Sequence, residues 1–536
     1  MRGLFPLFIS VLLLCSGCVL EHQRWPSPQL AAPLRLQAKL GLASTLESTY
    51  YQATQAQLRH DSDCIDLYLS CLRQVGMAAP RDQRSCEIQR SALINLLATS
   101  QDHGRYHPGL GIQFGRQNEL LPIRTIGFKW QPNDFDRIHV VGPYRNPRLP
   151  NPIRSPGYGV PVVVERIAEC ENEPYADAQP FAGTAIYVAA TATSPEQLLI
   201  VNPLNMDHDS GISRDLTSPY AFAIRARDRL AVLNFIYPQR SAARSHLFMA
   251  QPYQPGKIPV VLVHGLVSDH TTWTSLADHW NACPEFRERF QVWYFQYPTG
   301  IPFVDSASAL REQLESLCCQ LDPAKQDHAL SNIVLVGHSM GGLISKLQVT
   351  ECDQQIWRQI SRVPIDRLNA SEENRQLLHR WFQFHANPRV QRVCMIAAPH
   401  GGSPLAERLI GKVSARLVRE PPFYEQLKRD LVRDNQNAFL VEAGQQLTTS
   451  ISLLDPGDPI LKGMRQLPYQ PGTAIDSIIG NGRLMEGYGP SDGVVPVTNA
   501  IDPYATSEQY LESTHNQILE EPELHQLLTN LLLGAQ

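Results

Sequence analysis

The chain has 536 residues, a formal net charge of -5 and 43% hydrophobic residues. That length predicts two or three domains, and the apolar fraction suffices for a sizeable core. The mild acidity gives no reason to expect nucleic-acid binding, and no fixed-period repeat or low-complexity tract stands out.

Arg2 precedes an apolar run from Leu4 to Leu14, followed by Cys15-Ser16-Gly17-Cys18. The run is too short to span a bilayer comfortably and suits a signal-peptide core. Ser-Gly-Cys resembles the end of a bacterial lipobox, with Cys15 in place of the usual leucine three residues before the cysteine. Residues 1–18 are therefore expected to direct export, and Cys18 to become a lipidated N-terminus that anchors the chain to a membrane. That places the mature protein in the periplasm or on the outer membrane.

Residues 19–33 are rich in proline and polar side chains and read as a tether. Residues 34–104 read as helical. Cys64, Leu67, Tyr68, Cys71, Leu72 and Val75 recur at helical spacing, as do Ile88, Leu93, Leu96 and Leu97. Cys64 and Cys71 lie about 10 Å apart along one helix, too far for a disulfide. Cys71 with Cys86, across a helical hairpin, is the more plausible pair in an exported protein. Cys318 and Cys319 read as packing residues of a helix.

Residues 105–250 change character. Prolines and glycines break them into β-rich runs at Pro161–Arg166, Thr184–Ala190, Leu198–Val201 and Tyr220–Arg225, which predict an antiparallel sheet or sandwich. The polar stretch Ser241–Lys257 marks a boundary, so a last domain is expected over residues 251–536.

That domain opens on a buried strand that ends in His264-Gly265-Leu266. Strands follow at Gln291–Tyr297, Ile333–Val336, Val393–Ala398, Ile475–Gly480 and Gln509–Leu511. Leu310, Leu314, Leu317 and Leu321 mark one face of an intervening helix. The alternation predicts a parallel sheet with helices on both faces. The third strand runs into Gly337-His338-Ser339-Met340-Gly341-Gly342, where the glycines permit a sharp strand-to-helix bend with the Ser339 hydroxyl at its tip. Serine there is a candidate nucleophile, and the helix N-terminus behind it can receive a developing negative charge.

His264-Gly265-Leu266, the Ser339 motif, Ala397-Ala398-Pro399-His400-Gly401-Gly402-Ser403-Pro404, Ser491-Asp492-Gly493 and His515 together resemble the α/β-hydrolase fold, in its bacterial lipase and esterase branch. The resemblance covers Ile258 to the C-terminus. It implies a catalytic order of serine, acid, histidine, which Ser339, Asp492 and His515 satisfy. Asp476 and Asp502 are weaker acids for the role, and Asp492 also suits a turn cap. His525, His400 and His338 are weaker bases. The oxyanion hole is expected from the backbone N–H groups of Leu266 and Met340. Insertions at about 350–389 and 405–472 sit where this fold places a cap. Leu409, Ile410, Val413, Leu417, Val418, Phe423 and Tyr424 suit either an apolar lid or plain packing. The expected activity is hydrolysis of an apolar carboxylic ester or lipid through an acyl-enzyme, without metal or organic cofactor. The rivals are a phospholipase or acyltransferase with the same triad, and an inactive scaffold lipoprotein.

Overall fold

The computed structural model describes residues 44–77, 83–128, 131–141, 149, 152–166, 180–206, 211–219, 221–222, 245–249, 253–404, 422–435, 437–440 and 453–534. The signal segment, Cys18 and the tether lie outside the described residues. The chain divides into two compact units between Arg225 and Ala226.

In the first unit, three helices lead: α1 (Thr45–Leu58), α2 (Asp63–Met77) and α3 (Gln83–Asp102). Ser44 and Glu47 form a reciprocal capping box that starts α1. The main sheet after them has five strands: β1 (Ile123–Ile126), β2 (Phe135–Val140), β3 (Val160–Arg166), β4 (Pro180–Val188) and β5 (Gln197–Val201). They lie in the order β1-β5-β4-β3-β2. The β1–β5 pair is parallel and the others are antiparallel. Leu69, Leu72, Leu93 and Leu96 of the helices share one core with Val162, Val164 and Leu198 of the sheet. The helical region does end near residue 104, with the last helix closing at Asp102, but the β-rich stretch after it is not a separate domain. The apolar stripes of the helices need a cover, and the inner face of the sheet supplies it.

Two further expectations in this unit are corrected. Of Tyr220–Arg225, expected as a strand, Ala221 and Phe222 are helical together with Ser218 and Pro219, and the other four residues lie outside the described residues. Cys71 and Cys86 are both free thiols: Cys71 is buried in the core and Cys86 is exposed, so their side chains lie in different environments. In the second unit Cys318 is buried but its neighbour Cys319 is exposed, so only Cys318 packs.

The second unit is built on seven strands: β6 (His246–Met249), β7 (Ile258–Val263), β8 (Phe290–Gln296), β9 (Ile333–His338), β10 (Val390–Ile396), β11 (Ala474–Gly480) and β12 (Ser507–Leu511). Their order is β6-β8-β7-β9-β10-β11-β12. Only the β6–β8 pair is antiparallel. This is the α/β-hydrolase arrangement. β6 falls inside the polar stretch that reads as a boundary in the sequence. Four residues are too few for a periodic signal, and pairing with β8 draws them into the sheet. Every residue of β9 is buried, as a central strand covered on both faces requires.

Its longer helices among the described residues are α4 (Thr274–Ala282), α5 (Phe303–Leu321), α6 (Met340–Lys346), α7 (Glu372–Phe382), α8 (Pro422–Asp434), α9 (Pro459–Arg465) and α10 (Pro522–Leu533). Trp273, Trp280, Leu524 and Leu528 close one face of the sheet. α5 buries Leu310, Leu314 and Leu317 as its spacing predicts. The first insertion holds α7 and the second holds α8 and α9. Leu409, Ile410, Val413, Leu417 and Val418 lie outside the described residues. Phe423 is exposed, while Tyr424 is buried and donates its hydroxyl to Asp305 Oδ2 at 2.7 Å.

A buried ionic cluster ties α6 to the segments around it. Lys346 Nζ lies 3.0 Å from Asp502 Oδ2, with side chains 1% and 0% exposed. Tyr469, from the second insertion, donates its hydroxyl to the same oxygen, and the Tyr504 N–H donates to Oδ1 at 3.1 Å. His400 Nδ1 stands 3.5 Å from Asp502, with neither ring nitrogen hydrogen-bonded among the described residues. Burial, reinforced by the charge of Lys346, pushes the His400 ring down to about 3, so it is neutral.

Two outcomes are expected. Lys346→Met strands a buried carboxylate and lowers stability by about 3–5 kcal/mol, read from urea unfolding. Lys346→Met/Asp502→Leu recovers most of that, whereas a single-variant loss below about 1 kcal/mol contradicts the buried pair. Stability also falls as pH drops. Unfolded histidine binds a proton at about pH 6.5, but folded His400, facing Lys346, Asp502 and Arg465, binds none until about 3. The unfolded state holds more protons across that window, so acid favours it. His400→Gln is expected to flatten the decline in urea midpoint between about pH 6.5 and 4.5. Parallel slopes for variant and wild type contradict the assignment.

Candidate functional site

The bend at Ser339 is imposed by backbone crowding. A Cβ on Gly337 would meet Gly341 O at 2.4 Å, and one on Gly341 would meet Val263 O at 2.2 Å. Only glycine lets α6 turn back so tightly against the ends of β9 and β7. Ser339 is forced to φ 54 and ψ -123, a strain of about 1–3 kcal/mol for a residue with a Cβ. Two bonds over-determine it. Its N–H donates to Ile396 O at 2.8 Å, and its carbonyl accepts from Gly342 N–H at 2.9 Å.

The bend brings the hydroxyl to the ring of His515. Ser339 Oγ lies 2.9 Å from His515 Nε2, and His515 Nδ1 lies 2.6 Å from Asp492 Oδ2. A carboxylate can only accept, so the geometry assigns the proton to Nδ1 and leaves Nε2 to accept from the serine. Asp492 serves two purposes. Its Oδ1 accepts from the N–H groups of Val494 and Val495 at 2.8 and 2.7 Å, while Oδ2 holds the imidazole. The turn cap and the histidine partner, alternatives in the sequence, are the two oxygens of one side chain. The three side chains are buried.

Leu266 occupies the turn after β7 and Met340 is the first residue of α6. Neither backbone N–H donates to an acceptor among the described residues. The Leu266 turn is pinned from the end of β8. Tyr297 donates its hydroxyl to His264 O at 2.6 Å, its ring stacks on the His264 ring at 4.3 Å, and Thr299 Oγ1 accepts from Val267 N–H at 3.2 Å. Burial above all lowers the His264 ring well below its ordinary value, so it is neutral.

The rivals go elsewhere. Asp476 pairs with Arg392 at 3.1 Å and accepts from Ser507. Asp502 belongs to Lys346. His525 Nε2 donates to Leu519 O, and His400 lies in the ionic cluster. His338 donates Nε2–H to the main-chain carbonyl of His515 at 2.8 Å. The Tyr297 clamp and the His338 link escape sequence reading because no period or motif marks them. The Gly-His-Ser string names His338 but not its partner 177 residues away. Cys18 lies outside the described residues.

The family described as PGAP1-like alpha/beta domain matches residues 254–363. No curated protein sequence matches the chain. Among solved structures it is similar to the Bacillus licheniformis lipase BlEst2 in mature form, at 19% identity over 54% of this chain and 98% of that one, with a TM-score of 0.33. It is also similar to Staphylococcus hyicus lipase, at 12% identity over 53% of this chain and 97% of that one, TM-score 0.34. A carboxylesterase structure from Nitrososphaera gargenis shares 14% identity over 55% of this chain and 96% of that one, TM-score 0.29.

Proposed function

We propose that the second unit is a serine hydrolase that cleaves carboxylic esters through an acyl-enzyme. The observation that carries this is the unbroken hydrogen-bond chain from Ser339 Oγ through His515 to Asp492, at 2.9 and 2.6 Å, on a strained bend. Ser339 attacks the ester carbonyl while His515 Nε2 takes its proton. Asp492 holds the tautomer and stabilises the imidazolium. The amides of Leu266 and Met340, which lack acceptors among the described residues, receive the oxyanion. His515 returns its proton to the leaving alcohol, and water then releases the acyl group by the same steps. The choice of apolar acyl esters rests on the sequence resemblance to bacterial lipases and esterases.

On a series of p-nitrophenyl esters from acetate to palmitate, wild-type turnover is expected to persist into the longer chains. Ser339→Ala should abolish both turnover and fluorophosphonate labelling. Asp492→Asn should lower kcat by about 10³- to 10⁴-fold through the wrong tautomer. Labelling that survives Ser339→Ala, or that moves to Ser403, sinks the assignment.

Export and lipid attachment at Cys18 belong to the same proposal and rest on the signal-like run and Ser-Gly-Cys. In a bacterial host, an alkyne fatty acid should label the wild type and leave Cys18→Ala unlabelled. Equal labelling of both removes the anchor.

A further inference from the structure

We propose that His338 is a positioning residue: by holding the main-chain carbonyl of His515, it keeps that residue's imidazole on the Ser339 hydroxyl. This rests on the reading of Ser339, His515 and Asp492 given above.

The main chain of His515 is held at two points. Its N–H donates to Asp492 O at 2.9 Å, and its carbonyl accepts from His338 Nε2 at 2.8 Å. The first bond ties His515 to the acid loop, and Ser513 nearby accepts from the Gly482 N–H at 3.1 Å, but neither bond reaches the strand that carries the nucleophile. The second ties it to the residue next to the nucleophile. The spacing between Ser339 and His515 is therefore set by a link only one residue longer than the reacting pair itself.

His338 also borders the third segment of the site. A Cβ on Gly265, next to Leu266, would lie 3.1 Å from His338 Nδ1. One buried ring thus meets the loops of His515 and Leu266 and is covalently joined to Ser339.

The chemistry of the ring suits this place. A carbonyl can only accept, so Nε2 carries the proton and Nδ1 a lone pair. The titratable groups facing the ring are His515, Asp492 and His264. Burial first, and the neighbouring His515 second, push His338 down to about 3. It stays neutral while His515, 4.9 Å away between ring centroids, takes up its proton, so no second cation opposes that step.

The test compares His338→Phe, His338→Gln and His338→Asn in the full chain. Phenylalanine keeps the ring and loses the donor. Glutamine carries an N–H near the Nε2 position, and asparagine reaches only the Nδ1 position. Readouts are kcat and KM on a p-nitrophenyl ester, the fluorophosphonate inactivation rate and the urea midpoint. His338→Phe is expected to lower kcat and the inactivation rate by about 10- to 100-fold with KM within about twofold, as small misplacements of reacting groups do. His338→Gln should recover most of the loss, and His338→Asn should not. A folded His338→Phe with wild-type kcat overturns the proposal. So does a glutamine variant no better than asparagine, a comparison that holds if phenylalanine fails to fold. A wild-type protein that is neither labelled nor active overturns the catalytic reading itself, a result distinct from either.

Discussion

The site depends on one close approach of backbone to backbone. α6 leaves β9 so tightly that Gly341 lies against the carbonyls of Val263 and His264, with no room for a side chain. That contact throws Ser339 into a conformation its own Cβ disfavours. The parallel ladders of β9 with β7 and β10 hold it there. The same contact brings the turn after β7 alongside the bend. Gly265, next to Leu266, thus comes against Ser339 as a consequence of strand order rather than of any separate device.

The other two members arrive by a different route. Asp492 and His515 ride on the loops after β11 and β12, two adjacent strands on the same side of the sheet from β9. Loops of this kind need restraint, and each here is restrained more than once. Asp492 is fixed by two backbone amides on one oxygen, which frees the other to point at His515. Ten residues further on, Asp502 is fastened to Lys346 at the end of the serine helix. A buried charge pair is weak as a source of net stability, but each partner alone is costly. The pairing therefore specifies one arrangement of the acid-bearing segment against α6, and Tyr469 extends it to the second insertion.

The first unit follows simpler physics. Three helices and a five-stranded sheet each have one apolar face, and they bury those faces on each other. The unit was legible as elements but not as one body. A change of composition near residue 104 marks the passage from helix to strand, which is a change of local structure and not of core.

Local order governs what the sequence alone determined: the apolar runs of the central strands, the leucine face of α5 and the glycines around Ser339. These are properties of near neighbours, and each leaves a period or a spacing in the chain. Only the tertiary structure decided which of several aspartates and histidines meet. Asp476 sits within β11, Asp492 in a Ser-Asp-Gly turn and Asp502 before Pro503, and no local feature of any of them names its partner: one pairs with Arg392, one with His515 and one with Lys346. The short edge strand β6 and the partner of His338 were hidden for the same reason. Hydrogen bonds and charge pairs between groups more than a hundred residues apart depend on where the fold brings backbones together, and a titratable side chain carries no periodicity that announces its partner.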